Sequence, residues 1–243
     1  MRFTPKNRLL TGTVSKLTGN NFKSEKTLRK VLVVGAGGSG LAAAVSAQQA
    51  SLKVRVTVLE QNAGPGGVTS ISTGLIRCCD SEIQKTAQLQ GISRQDAVKV
   101  FLEAGKNCQD PVMLDKYVEK SGEAVDWLHS MGCKMEIFKD FRLMIAPSRE
   151  GLSGGSGMVD VLFETAKKIG VQFHFDTRAI ELLISDGKVV GVIALNKGGE
   201  RVQFEVDAVI LADGGFWGAR AGAFDNAVHD VIVSSLAGNA GSA

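Results

Sequence analysis

A chain of 243 residues with 44% hydrophobic and 22% charged side chains is long enough for one large domain or two small ones. It is too apolar to stay disordered, because burial can offset the entropy of folding. The net charge of +3 belongs to the first residues, where Arg2, Lys6, Arg8, Lys16, Lys23, Lys26, Arg29 and Lys30 face Glu25 alone; the rest is slightly acidic, which excludes a nucleic-acid-binding body.

Residues 1–29 read as a basic, Ser/Thr-rich arm outside the fold, either a solvated extension or an organelle-targeting segment. Without such targeting the expected compartment is the cytoplasm. No apolar run reaches the roughly 18 residues of a spanning helix. After the arm, Val31–Val34 is a short β-branched and apolar run of the kind a buried parallel strand requires. It enters Gly35-Ala36-Gly37-Gly38-Ser39-Gly40, then an Ala-rich helix over 41–50, then a second strand over 53–60 with Val54, Val56 and Val58 on one face. Strand, glycine turn, helix and strand make a βαβ unit.

Residues 63–76 read as a Gly/Ser/Thr loop whose lack of bulk suits backbone lying against something flat. Ser93 with Asp96 caps a helix over 94–105, and Asp110-Pro111 starts one over 112–120. A separate helix over 122–131 stops at Gly132, and another over 158–169 ends at Gly170. The last third changes period: 171–175, 179–185, 188–195 and 201–205 read as an antiparallel meander, with Asp186-Gly187 as a hairpin turn. The run 208–212 reads as a further central strand ending at Asp213-Gly214-Gly215.

Gly35, Gly37 and Gly40 between strand and helix, with Glu60 closing the next strand, form a dinucleotide-binding constellation. Gly35 makes the tight turn, Gly37 lets backbone approach a pyrophosphate at the positive helix N-terminus, Gly40 allows close helix–strand packing, and Glu60 accepts from ribose hydroxyls. A carboxylate there opposes a 2′-phosphate, leaving FAD or NAD. Cys78, Cys79, Cys108 and Cys133 have no metal-ligand spacing, so buried or inert thiols in a reducing compartment are expected, with redox chemistry at the vicinal pair as the alternative. His129, His174 and His229 stand apart without partner spacing, Asp126 and Trp127 suit helix packing, and Arg142 and Arg149 are solvent-facing charges or candidates for a substrate anion.

The ordered series 31–40, Glu60, 65–74, 121–128, 154–157 and 207–216 resembles the flavoprotein family of soluble fumarate reductases and succinate dehydrogenase flavoprotein subunits, with urocanate reductases and 3-ketosteroid dehydrogenases as relatives. The resemblance implies an α/β, Rossmann-like FAD-binding domain over 30–243, with a parallel central sheet and an antiparallel β-meander. It implies non-covalent FAD: Val68 stands where membrane-bound relatives attach flavin through a histidine. By the same resemblance, Gly35, Gly37, Gly38, Ser39 and Gly40 would face the pyrophosphate, Glu60 and Gln61 the adenosine ribose, and Gly67, Thr69, Ser72, Thr73 and Gly74 the pyrophosphate and flavin. Ala179 would meet adenine through its backbone, while Ala212, Asp213 and Gly214 would close the adenosine side. Asp213 departs from the small or hydroxyl residue usual in the family.

The implied activity is flavin-dependent reduction or formation of a carbon–carbon double bond beside an electron-withdrawing group, on a small dicarboxylate or enoate, with an unidentified electron donor. The family's catalytic side chains lie in a capping domain and closing segment beyond the point reached by 238–241. The expectation is therefore an N-terminal, FAD-binding portion without the cap, and no catalytic residue is named. A non-catalytic dinucleotide-binding remnant and an NAD-dependent dehydrogenase are the rival readings.

Overall fold

The computed structural model of the chain describes residues 28–87, 93–138, 142–146 and 150–215. The expected βαβ unit is present as β1 (Arg29–Val34), α1 (Gly38–Ala50) and β2 (Val54–Leu59). β1 pairs in parallel with β2 and, on its other side, with β10 (Ala208–Leu211). β6 (Gln172–His174) pairs in parallel with β2, giving the strand order β10-β1-β2-β6. The segment 171–175 therefore belongs to the parallel sheet and not to the meander. The run 208–212 supplies a strand of that sheet, but β10 lies at its edge among the described residues.

Alternation along β1 sets the layers, since successive side chains in a strand point to opposite faces. Val33 joins Val56 and Val58 of β2 in a core with Leu41, Ala44 and Val45 of α1 and with Leu162 and Ala166 of α6 (Gly154–Lys168). Leu32 and Val34, with Leu59, pack instead against Ala179, Leu182, Val192 and Ala194 of the meander. That meander consists of β7 (Arg178–Ser185), β8 (Lys188–Leu195) and β9 (Arg201–Glu205), all antiparallel. Its first turn has Asp186 at φ 50° and Gly187 at φ 71°, the two positive angles that a type I′ hairpin demands. The parallel sheet is thus sandwiched between helices and a second sheet, and this sandwich fixes the carboxyl ends of β1 and β2.

A third sheet, not anticipated from the sequence, has the order β3-β5-β4 and is antiparallel: β3 (Leu75–Arg77), β4 (Met135–Ile137) and β5 (Arg142–Ile145). It packs against α5 (Pro111–Ser130) through Cys78, Val125 and Leu143. Asp110 caps α5 as expected, its carboxylate accepting the N–H groups of Val112 and Met113 at 2.8 and 2.9 Å. The helix then continues through Ser121 and Gly122 instead of dividing there. Gly122 marks a close approach, because a Cβ at this position would strike the carbonyl oxygen of Cys79. Ser93 caps α4 (Arg94–Ala104), its hydroxyl accepting the Asp96 N–H at 3.1 Å. A short α3 (Glu82–Thr86) completes this side, its first N–H bonded by Asp126.

Two further boundaries differ from expectation. The stretch 63–76 contains a one-turn helix, α2 (Gly67–Ile71), and runs into β3. α6 begins at Gly154, so the glycines at 154, 155 and 157 lie inside its first turns, where Gly154 and Gly155 seat the segment from α2 to Gly74 and Gly157 seats the exit of β5.

Candidate functional site at the carboxyl ends of the parallel strands

The βα turn after β1 leaves α1 with bare donors. Gly37 is the N-cap and carries no side chain, the first turn has no acidic residue, and the first helical bond is donated by Leu41 N–H to Gly37 O at 2.9 Å. The N–H groups of Ser39 and Gly40 precede that bond, at the positive end of the helix dipole, which is the arrangement that attracts a phosphate. Ser39 is exposed there.

The glycines of the turn do different work. Gly35 has φ 100° and donates its N–H to Leu59 O at 2.7 Å, and a Cβ on it would collide with Ala212 O. Gly40 would drive a Cβ into Gly35 O, so it permits the close packing of α1 on β1. Gly37 has an ordinary φ of −75°, and the nearest atom to a Cβ built there is Gly66 O at 3.9 Å. Packing within the protein does not require a glycine at 37; the space a side chain would fill lies beside the uncapped donors of α1. That space suits a pyrophosphate.

A second glycine segment braces the first. Gly66 N–H donates to Ala36 O at 2.9 Å, and residues 37 and 66 form a parallel bridge. Gly66 and Gly67 both have positive φ, 142° and 52°. Thr69 Oγ1 accepts the Gly38 N–H at 3.1 Å, which ties those two expected site residues together and leaves the threonine O–H as a donor. Ser72 donates its hydroxyl to Thr69 O at 2.8 Å while its carbonyl accepts the Gly155 N–H at 3.0 Å. Gly74 (φ 79°) lies against Gly154, and Ser153 Oγ donates to Ser70 O at 2.6 Å. Thr73, Val68 and Ile71 are exposed, Ile71 at 78%. α2 therefore presents two aliphatic side chains to the outside beside the turn.

Glu60 follows β2 and is buried, with 6% of its surface exposed. Its Oε2 accepts the Ala36 N–H at 2.8 Å, inside the glycine turn, and its Oε1 accepts both the backbone N–H and the side-chain amide of Asn62 at 2.8 and 2.7 Å. A carboxylate offers about four acceptor positions, so one remains on Oε2, where a ribose hydroxyl fits. Gln61 is exposed next to it. Ala212, Asp213 and Gly214 follow β10 beside Gly35; Ala212 N–H donates to Val34 O at 2.9 Å, and Asp213 is exposed. Ala179 lies on β7 with its side chain buried in the core beside Leu32 and Val34.

Sequence reasoning passed over Asn62, whose role shows only once its amide is seen on Glu60, and Gly66, whose place in the Pro65-Gly66-Gly67 run was the available signal. The remaining candidates are structural. Asp126 accepts the Glu82 N–H with both oxygens at 3.0 Å, the His129 Nδ1 lies 3.2 Å from Cys133 O, and the His174 ring stands edge-on to Phe204. Arg142 lies on β5 in register with Arg77; Arg149, His229, residues 216–243 and the arm up to residue 27 lie outside the described residues. Cys78, Cys79 and Cys133 are buried and unbridged, and burial pushes the thiols of Cys78 and Cys133 up to about 11, opposite to what a redox thiol needs. Among the described residues no three His, Cys, Asp or Glu side chains gather as metal ligands, and no helix is long and apolar enough to cross a membrane.

The chain is 30% identical over 194 residues to the fumarate reductase (cytochrome) of Shewanella frigidimarina, covering 76% of this chain and 33% of that protein. It is 32% identical over 197 residues to the urocanate reductase of Eggerthella lenta, covering 76% of this chain and 31% of that protein. The chain thus spans about a third of the length of these curated relatives. The fold is shared with the 3-ketosteroid-Δ4-(5α)-dehydrogenase of Rhodococcus jostii RHA1, at a TM-score of 0.72 and 23% identity over 89% of this chain and 56% of that one. Residues 30–243 match the FAD binding domain family, and the chain belongs to that family, with FAD as its cofactor.

Proposed function

We propose that the chain is the FAD-binding part of a flavin-dependent oxidoreductase acting on a carbon–carbon double bond beside an electron-withdrawing group, with a small enoate or dicarboxylate as substrate. The observation that carries the reading is the pairing of two features at the carboxyl ends of β1 and β2: the Ser39 and Gly40 N–H groups at the N-terminus of α1 with room beside Gly37, and the Glu60 carboxylate with one acceptor position left. This is where an open parallel sheet binds its ligand. The relatives named as fumarate and urocanate reductases support the substrate class, since both names specify unsaturated acids.

In this reading the donors of Ser39 and Gly40 hold the pyrophosphate, Glu60 and Gln61 the adenosine ribose, and Thr69 with the segment Ser72–Gly74 the flavin side. Asp213 is turned to the ribose or to solvent, because a carboxylate aimed at the pyrophosphate would repel it. Hydride transfer is the chemistry that a flavin supplies when bound. The chain's own residues bind and orient. Val68, 48% exposed on α2, stands where the resemblance puts the flavin-attaching histidine of membrane-bound relatives and offers an aliphatic contact there, which supports a non-covalent cofactor.

The test is to add FAD to the purified chain, remove the excess and record absorbance near ~450 nm, then acid-precipitate the protein. A stoichiometric flavin band that leaves with the supernatant is expected. No retained flavin, or tight NADH binding in its place, contradicts the assignment. The substrate class is tested on the full protein containing this chain, by oxidation of a reduced artificial donor with fumarate, urocanate and acrylate as acceptors; turnover with none of them contradicts it.

A further inference from the structure

Glu60 is buried as a carboxylate, and what fixes its orientation is Asn62 together with the glycine turn. We propose that Asn62 is a positioning residue for recognition of a ribose hydroxyl: by saturating Oε1 with two donors it leaves Oε2 as the oxygen able to accept from the incoming group. The inference rests on the reading of Glu60 as the adenosine-ribose acceptor.

Oε1 accepts from the Asn62 backbone N–H at 2.8 Å and from Nδ2 at 2.7 Å, which fills that oxygen. Among the described residues Oε2 accepts from Ala36 N–H alone, at 2.8 Å. The spare acceptor position therefore belongs to the oxygen bonded to the glycine turn. Asn62 is itself anchored, because its carbonyl accepts the Asp176 N–H at 3.0 Å while Glu60 is bonded on both sides to the exit of β6: its N–H donates to His174 O at 2.9 Å, and its carbonyl accepts the Thr177 N–H at 2.8 Å. Three main-chain bonds hold the two loops together, so the amide meets the carboxylate from a fixed frame.

Asn62 is exposed and fills no core position. Removing its amide leaves the backbone donor in place but frees one position on Oε1, and the carboxylate can then turn and divide its acceptor strength. A hydrogen bond to a charged group is worth more than a neutral one, so the loss falls on ligands that use this carboxylate and not on those that bypass it.

The experiment measures ADP and 2′,3′-dideoxy-ADP as competitors of FAD on the full chain, by recovery of flavin fluorescence, for wild type, Asn62→Ala and Asn62→Asp. Wild type is expected to prefer ADP by roughly tenfold or more. Asn62→Ala is expected to cut that preference roughly three- to tenfold, with dideoxy-ADP affinity unchanged and some loss of melting temperature from the missing bond to the buried carboxylate. Asn62→Asp, equal in shape but acidic, should cut it at least as far, since it sets a second carboxylate against the first. If both variants keep the wild-type preference, or if they weaken the two competitors equally, the positioning role is wrong while FAD binding stands. If wild type itself shows no preference, the placement of Glu60 falls and the proposal with it. A wild type that binds no FAD overturns the underlying reading instead.

Discussion

The glycines of residues 35–40 and those of residues 154–157 look alike in sequence, and both sit where a loop enters a helix. Around Gly154, Gly155 and Gly157 every added Cβ would meet backbone: Ile145 O and Thr73 O, Thr69 O, and Ala146 O respectively. In the first segment Gly35 and Gly40 are packed in the same way, but Gly37 is not, with nothing closer than 3.9 Å. Glycine at the second site is explained by how α6 packs on the α2 segment and on the exit of β5. Glycine at position 37 is not explained by the protein's own packing, and what remains is room for a ligand at a helix N-terminus.

The largest effects should come from the packed members of both segments. Gly40→Ala and Gly155→Ala each force a carbonyl to move, and each should cost about 2–3 kcal/mol or more in urea unfolding; a small loss at either would break the parallel between them. Two buried thiols give a pH signature. Burial raises Cys78 and Cys133 from 9.0 to about 11, so the folded state keeps protons that the unfolded state releases. Their contribution to stability is complete below pH about 9 and lost as pH rises toward about 11; Cys78→Ser and Cys133→Ser should flatten that fall in unfolding free energy measured across the window. The smallest effect is expected of Ser153→Ala, which removes the bond from the α6 N-cap to Ser70 O and should cost about 1 kcal/mol in thermal or urea melts. A much larger loss would mean that this contact, more than glycine packing, seats the α2 segment.

Features decided by neighbours in sequence were legible in it. The βαβ unit, the caps at Ser93 and Asp110 and the turn at Asp186-Gly187 all follow from local propensity, periodicity and turn chemistry. Misreadings occurred where distant chain decides. The stretch 112–131 reads as two helices, the second beginning at Gly122, until that glycine is seen packed against Cys79 O within one continuous helix, and 171–175 resembles a meander strand until β2 is found beside it in parallel. β4 and β5 are short, and β5 finds its second partner in β3, across the whole of α4 and α5. The candidate site divides in the same way. Gly35, Gly37, Gly40 and Glu60 are visible as a spaced motif, whereas the Asn62 amide on Glu60 and the Thr69 hydroxyl on Gly38 N–H depend on side-chain geometry that spacing does not encode.

Gly37 carries the central claim, so the most direct test is FAD titration of Gly37→Ala beside wild type, with melting curves on both. The account predicts a fold within roughly 1 kcal/mol of wild type, since φ −75° suits alanine and no atom is crowded. FAD affinity should fall at least roughly tenfold, which is about 1.4 kcal/mol. An equally folded variant that binds FAD as tightly as wild type would contradict the placement of the pyrophosphate at this turn.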